Sequence, residues 1–269
     1  MITSTANQRV KRLTNLRKKR KLRDEEGVFL VEGIRMFREV PGDDLMEVYV
    51  SESFYRKEKK TVDDMCAKSH IRPEILTDSV FEHVSDTRTP QGVLCMVRQR
   101  SREVPVAEAW SASALGERKP LILVLDNLQD PGNLGTILRT AEAAGVTGII
   151  MSRECVDIYN PKTIRSTMGS VFRMPFWYVQ DITDVIRQMK AAGVQTYAAH
   201  LKGKRDYDGP DYREASAFFI GNEGNGLRDE VAELADEYIL IPMMGEVESL
   251  NAAIAATVLM FEAGRQRRN

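Results

Sequence analysis

The sequence has few of the residues that build disulfide or metal centres. Its three cysteines, Cys66, Cys95 and Cys155, lie far apart with no CxxC pair. This excludes a disulfide framework and a cysteine zinc site, and it fits a reducing compartment. Its three histidines, His70, His83 and His200, are equally scattered, so no metal cluster is expected. No apolar run approaches about 18 residues, and the N-terminus lacks an apolar signal core. These absences predict a soluble, cytoplasmic protein with no metal and no membrane partner. Internal repeats and low-complexity tracts are absent as well. So are the glycine spacings of the dinucleotide fingerprint and of the P-loop, which makes a Rossmann cofactor or a bound nucleoside triphosphate a poor expectation.

The chain does have enough apolar material for a substantial core. Its 269 residues are 43% hydrophobic, and the length suits one large or two modest domains. Lys and Arg nearly balance Asp and Glu, for a net charge of -1. That average hides an asymmetry: "RVKRLTNLRKKRKLR" contains nine basic residues and no acid. They are Arg9, Lys11, Arg12, Arg17, Lys18, Lys19, Arg20, Lys21 and Arg23. Such a block marks a segment facing a polyanion or a solvated helix face, and charge alone does not separate the two.

Periodicity predicts two α/β blocks. In residues 1–104 a helix over Thr5–Lys21 precedes strands at "VFLVEG", "LMEVYVS", "PEILT" and "GVLCMVRQ", with helices between them. Residues 105–119, with Pro105 and Gly116, read as a linker. Over 120–269 the strands "LILVLDN", "TGIIMS", "VQTYAAH", "AFFIGNEG" and "EYILIPM" alternate with helices. That pattern implies a mostly parallel, doubly wound sheet with ligands at the carboxyl ends of its strands.

Three strand-end turns have unusual chemistry. "NLQDPGNLGTILRTAEAAG" puts Asn133 at a helix start, where on local evidence it reads as the N-cap, and Arg139 within an otherwise apolar helix. "FFIGNEGNGL" combines three glycines with Glu223. "IPMMGEVESLNAAIAATVLMFEAGRQ" offers Ser249 as the cap of a final helix rich in small residues. The stripe Leu250, Ile254, Val258 and Phe261 on that helix has the spacing of a buried face, in a core or against a partner.

In this order and spacing, the three segments resemble the motifs of the SpoU (TrmH-like) RNA 2′-O-ribose methyltransferases of the SPOUT superfamily. The resemblance covers roughly Pro120 to Gln266 and includes the intervening "NPKTIRSTMGSVFRMPF". It implies a C-terminal domain with a deep trefoil knot, S-adenosylmethionine as cofactor, and a homodimer. It also implies a smaller N-terminal α/β domain that binds RNA, with ribosomal RNA favoured over tRNA as substrate. Carried over by position, Gly221, Ile241, Met243 and Leu250 would form the cofactor pocket, and Asn133, Arg139, Glu223, Ser249 and Asn251 the catalytic set. The family is assigned an arginine base at the position of Arg139. Because a guanidinium stays charged, an electrostatic clamp on phosphate and developing alkoxide is the preferred role here. The resemblance also shifts the basic block towards RNA contact. The rival reading is an RNA-binding or ribosome-assembly factor that keeps the fold without turnover.

Overall fold

A computed structural model describes residues 1–100 and 119–268. They divide into two units. The first holds the residues up to 100 together with Asp157–Phe172, and the second holds those from 119 to Val156 and from Arg173 onward. The linker expected over 105–119 lies, except for Lys119, outside the described residues.

The first unit runs α1 (Gln8–Lys18), α2 (Arg20–Glu26), β1 (Val28–Glu32), α3 (Ile34–Glu39), β2 (Leu45–Ser51), α4 (Glu52–Lys68), β3 (Glu74–Leu76), α5 (Asp78–Val84) and β4 (Val93–Arg98). Its sheet has the order β1-β4-β2-β3, antiparallel except for the β2–β3 pair. The basic stretch is two helices, because Lys19 adopts extended backbone between α1 and α2. Val10, Leu13 and Leu16 bury one face of α1 against Leu30, Phe81 and Met96, so the helix is held by its apolar stripe. The segment 157–172 contributes α7 (Pro161–Thr167) and Tyr159 and Phe172, which pack on Phe29 with ring centroids 4.6 Å and 6.2 Å away. Asn160 caps α7 and Pro161 opens it, as the sequence predicts.

The second unit continues with β5 (Leu121–Leu125), α6 (Pro131–Ala144), β6 (Gly148–Ser152), α8 (Ser170–Arg173), β7 (Phe176–Val179), α9 (Ile182–Ala191), β8 (Gln195–Ala199), β9 (Arg205–Asp206), β10 (Ser216–Ile220), α10 (Asp229–Ala232), β11 (Glu237–Leu240) and α11 (Ala252–Arg267). Helix α8 begins at the end of the inserted segment, so of its four residues only Arg173 belongs to this unit. The seven-stranded sheet has the order β7-β6-β5-β10-β8-β11-β9, and every pair is parallel. Strands buried on both faces account for the unbroken apolar runs in β5, β6 and β10. A parallel sheet also puts the carboxyl ends of β5, β10, β8 and β11 side by side, so their following turns meet.

Helix α11 packs on α6 and β10 through its small residues Ala253, Ala256 and Ala263, with Leu259 and Met260 between them. Arg267 ties its end to the start of β5 by donating to the carbonyls of Lys119 (2.8 Å) and Pro120 (2.9 Å). The stripe expected in a core or against a partner is not, as a whole, in the core of this chain: Ile254 is 50% and Phe261 44% exposed and Leu250 and Val258 are half-buried, because the alanine face is the one that fits closely against α6.

Candidate active site

The turn after β5 is built around Asp126 and Asn127. Asp126 is fully buried and accepts from both the backbone N–H and the guanidinium of Arg228, at 3.1 Å and 2.6 Å. The pairing holds the Arg228 guanidinium above its ordinary pKa, mainly through that side-chain hydrogen bond. Asn127 sits at φ 55°, a left-handed conformation that Asn tolerates, and turns the chain into α6. The helix starts earlier than the sequence indicates: Asp130, not Asn133, is the N-cap, accepting from Asn133 N at 2.8 Å, and Pro131 fills the first position. Asn133 is thereby free for other work.

The glycine-rich turn after β10 closes on itself. Asn222 and Gly226 exchange backbone hydrogen bonds of 2.9 Å and 3.0 Å, and a Cβ on Gly221 would lie 2.1 Å from Gly226 C. The close approach that requires Gly221 is therefore to its own loop. Asn222 Oδ1 accepts from Gly224 N and Asn225 N, while its amide donates to Asn127 O at 2.9 Å. This lashing presents Glu223 to the first turn. Its carboxylate accepts from Gln129 N (3.1 Å), Asp130 N (3.0 Å) and Asn133 Nδ2 (2.9 Å). Burial works against the charge, yet the Asn133, Asp130 and Gln129 bonds outweigh it and hold the carboxyl below the usual carboxylate range.

The third turn adds Asn251. It, and not Ser249, caps α11, with Oδ1 accepting from Ala253 N (2.9 Å) and Ile254 N (3.3 Å). Its oxygen is thus committed to the helix, so its Nδ2 donates to Asn133 Oδ1 at 3.0 Å. That contact orients the Asn133 amide with its NH2 towards Glu223. Three side chains that lie 28 or more residues apart in sequence form one relay with a single consistent set of donors. Arg139 is exposed on α6 and has no intramolecular partner among the described residues. Ser249 is exposed at the rim of the adjoining cavity.

That cavity measures about 370 Å³ and opens among the turns after β8, β10 and β11. Ile220, Leu227, Ile241 and Leu250 give it apolar walls, and Glu223 and Glu248 supply carboxylates. All four residues expected in the cofactor pocket, Gly221, Ile241, Met243 and Leu250, line it. No group of three or more His, Cys, Asp or Glu among the described residues is placed to hold a metal.

The basic residues of the first unit are more committed than their sequence suggests. Arg23 is 4% exposed and pairs with Asp157 at 2.5 Å, and its guanidinium also donates to Leu16 O. A buried, paired guanidinium is not a surface for RNA, which revises the expectation for this residue. Arg12 bonds Glu26 and Glu47, Arg9 pairs with Glu74, and Arg17 closes the end of α5 through the carbonyls of Val84 and Ser85. Arg20 and Lys21 face Asp24 and Glu25 one turn on. Lys11, Lys18 and Lys19 are exposed.

Residues 120–261 match the family model described as the SpoU rRNA Methylase family, and residues 7–95 match an MRM3-like substrate binding domain. The chain belongs to the SpoU family. It is 32% identical over 263 residues, 97% of each chain, to the 23S rRNA (guanosine(2553)-2′-O)-methyltransferase RlmP of Bacillus subtilis. It is 30% identical to human mitochondrial rRNA methyltransferase 3, covering 97% of this chain and 73% of that one. The structure superposes on an AdoMet-bound rRNA methyltransferase from Sinorhizobium meliloti with TM-score 0.83 and 32% identity, covering 98% and 97% of the two chains.

S-adenosylmethionine, the cofactor of this family, fits the cavity of this chain. The volume lies within the usual range for such ligands, about 300–1,000 Å³. Apolar walls suit an adenine, and the Glu223 and Glu248 carboxylates suit a cationic sulfonium. Sequence reasoning missed Asp126, Asn222, Arg228 and His200. An acid directly after the fully apolar β5 was the available signal for Asp126; nothing local marked the others.

Proposed function

We propose that this SpoU protein transfers a methyl group from S-adenosylmethionine to a ribose 2′-hydroxyl of ribosomal RNA. The observation that carries the reading is the Glu223–Asn133–Asn251 relay beside a cavity that fits the cofactor. The cofactor supplies an electrophilic methyl, so the chain's own task is to bind, orient and desolvate the acceptor. Asn133 uses one N–H and one lone pair within the relay and keeps one of each for the ribose. Arg139, exposed and permanently charged, clamps the RNA phosphate and the developing alkoxide and does not act as the base. Ser249 and Asn251 frame the acceptor, and Gly221, Ile241, Met243 and Leu250 hold the cofactor.

The first unit, with its MRM3-like match, binds the RNA through the exposed Lys11, Lys18 and Lys19 and the partly engaged Arg20 and Lys21. The chain works in the cytoplasm as a homodimer with a knotted methyltransferase domain. Support for the dimer comes from Ile254 and Phe261, two large apolar side chains left exposed on α11. Sedimentation equilibrium of the full chain tests it: a monomer at micromolar concentration refutes the dimer and leaves the chemistry standing.

The function is tested with labelled S-adenosylmethionine and total RNA from a deletion strain, followed by mapping of 2′-O-methyl sites through resistance to alkaline cleavage. One protected ribose in 23S-type RNA is expected. Cofactor binding without transfer to any RNA would favour an assembly factor.

A further inference from the structure

His200 lies outside the three motif segments, yet its position is closely built. Its backbone N donates to Ile239 O at 3.1 Å, and its carbonyl accepts from Gly203 N at 2.9 Å. Gly203 is itself pressed on β11, where a Cβ would meet Ile239 C at 2.7 Å. The imidazole stacks on Tyr238 with centroids 4.9 Å apart and planes 26° from parallel. Lys202 N donates to Nδ1 at 3.0 Å. A ring nitrogen that accepts an amide proton carries none of its own, so the proton of the neutral ring resides on Nε2. Nε2–H has no partner among the described residues, and His200 lines the cavity together with Ile241 and Leu250.

We infer that His200 is a cofactor-contacting residue: its ring, fixed as the Nε2–H tautomer, donates a hydrogen bond to S-adenosylmethionine, and its neutrality is what the cationic sulfonium requires. The inference rests on the cofactor assignment above. Burial, and secondarily the Lys202 ammonium, lower the pKa of this imidazole, whereas Asp229 at the start of α10 acts the other way. Tyr238 on β11 stacks on the ring, and the other titratable groups that line the same cavity are Glu223 of the glycine-rich turn and Glu248 of the turn after β11. Protonation of His200 would break the Lys202 contact and set a second positive charge in a site that binds a cation. S-adenosylhomocysteine lacks the methyl and with it the sulfonium charge, so it should be less sensitive to that protonation.

The test is calorimetric titration of the full chain with S-adenosylmethionine and with S-adenosylhomocysteine between pH 8 and 5.5, a window above the ordinary carboxylate range of about 4. At pH 8, His200→Phe should bind both ligands about tenfold more weakly, whereas His200→Gln, which keeps an N–H donor, should lose less. On acidification the wild type should lose more affinity for S-adenosylmethionine than for S-adenosylhomocysteine, and His200→Phe should show no such divergence. A His200→Phe variant within twofold of wild type at pH 8 overturns the contact. A wild-type affinity ratio that stays constant with pH overturns the charge argument without the use of any variant. Wild-type protein that binds neither ligand overturns the cofactor assignment itself.

Discussion

Glu223→Gln tests the relay with the smallest change of shape. The two hydrogen bonds to Oε1, from Asp130 N and Asn133 Nδ2, have an oxygen to return to. Gln129 N, which donates to Oε2, would instead face an NH2 group. One charge-assisted bond is lost and the other two become neutral. Charged hydrogen bonds contribute about 1.5–3 kcal/mol, and the exposure of Glu223 argues for the lower end. If that energy orients Asn133 in the transition state, kcat should fall about tenfold, since 1.4 kcal/mol is one decade. Loss of a rim carboxylate should weaken S-adenosylmethionine only a few-fold. Asn133→Ala removes the same arrangement from the other side, so the double variant should be little worse than either single one. Single-turnover methyl transfer at saturating RNA measures all three. Additive losses, or a Glu223→Gln kcat within twofold of wild type, would refute the relay.

The same carboxylate has a pH signature. Its folded pKa is depressed, so its stabilising contribution is present above the unfolded value of about 4.3 and is lost as pH falls through the lower folded value. The melting difference between wild type and Glu223→Gln should stay constant from pH 8 to about 5.5 and shrink below about 5.

Three further outcomes are expected. Arg139→Ala should abolish methyl transfer and leave S-adenosylmethionine affinity within about twofold by calorimetry, and Lys should rescue poorly because it lacks the guanidinium fork. Replacing Lys11, Lys18, Lys19 and Lys21 by Gln should raise KM for RNA and flatten the salt dependence of binding without lowering Tm, since Arg17 and Arg23 keep their structural bonds. Asp157→Asn leaves the Arg23 guanidinium buried without its counter-charge and should destabilise the first unit by about 3 kcal/mol in denaturant unfolding.

The parts legible in the sequence are those fixed by local rules. Alternating runs located every strand of the first unit, Asn160-Pro161 marked the start of α7, and Gly145, at φ 81°, ends α6 as a left-handed C-cap should. Strand β7 was missed because it is four residues long, follows Pro175 and occupies a sheet edge, where half-buried aromatics leave no clean period. The caps were misplaced for a different reason. Asn133 and Ser249 are both acceptable N-caps, and each lies within three residues of another acceptable one, Asp130 or Asn251. Propensity cannot choose between such neighbours, because the choice is made across the fold: Asn133 is claimed by Glu223 and Asn251, 90 and 118 positions away. The α11 stripe, open between a core and a partner, shows the same limit. Helical spacing identifies an apolar face but not what covers it, and here the alanine face won the place against α6 because smaller side chains let the helices approach closely. What remains outward on that helix includes Ile254 and Phe261, the two side chains on which the proposed dimer rests.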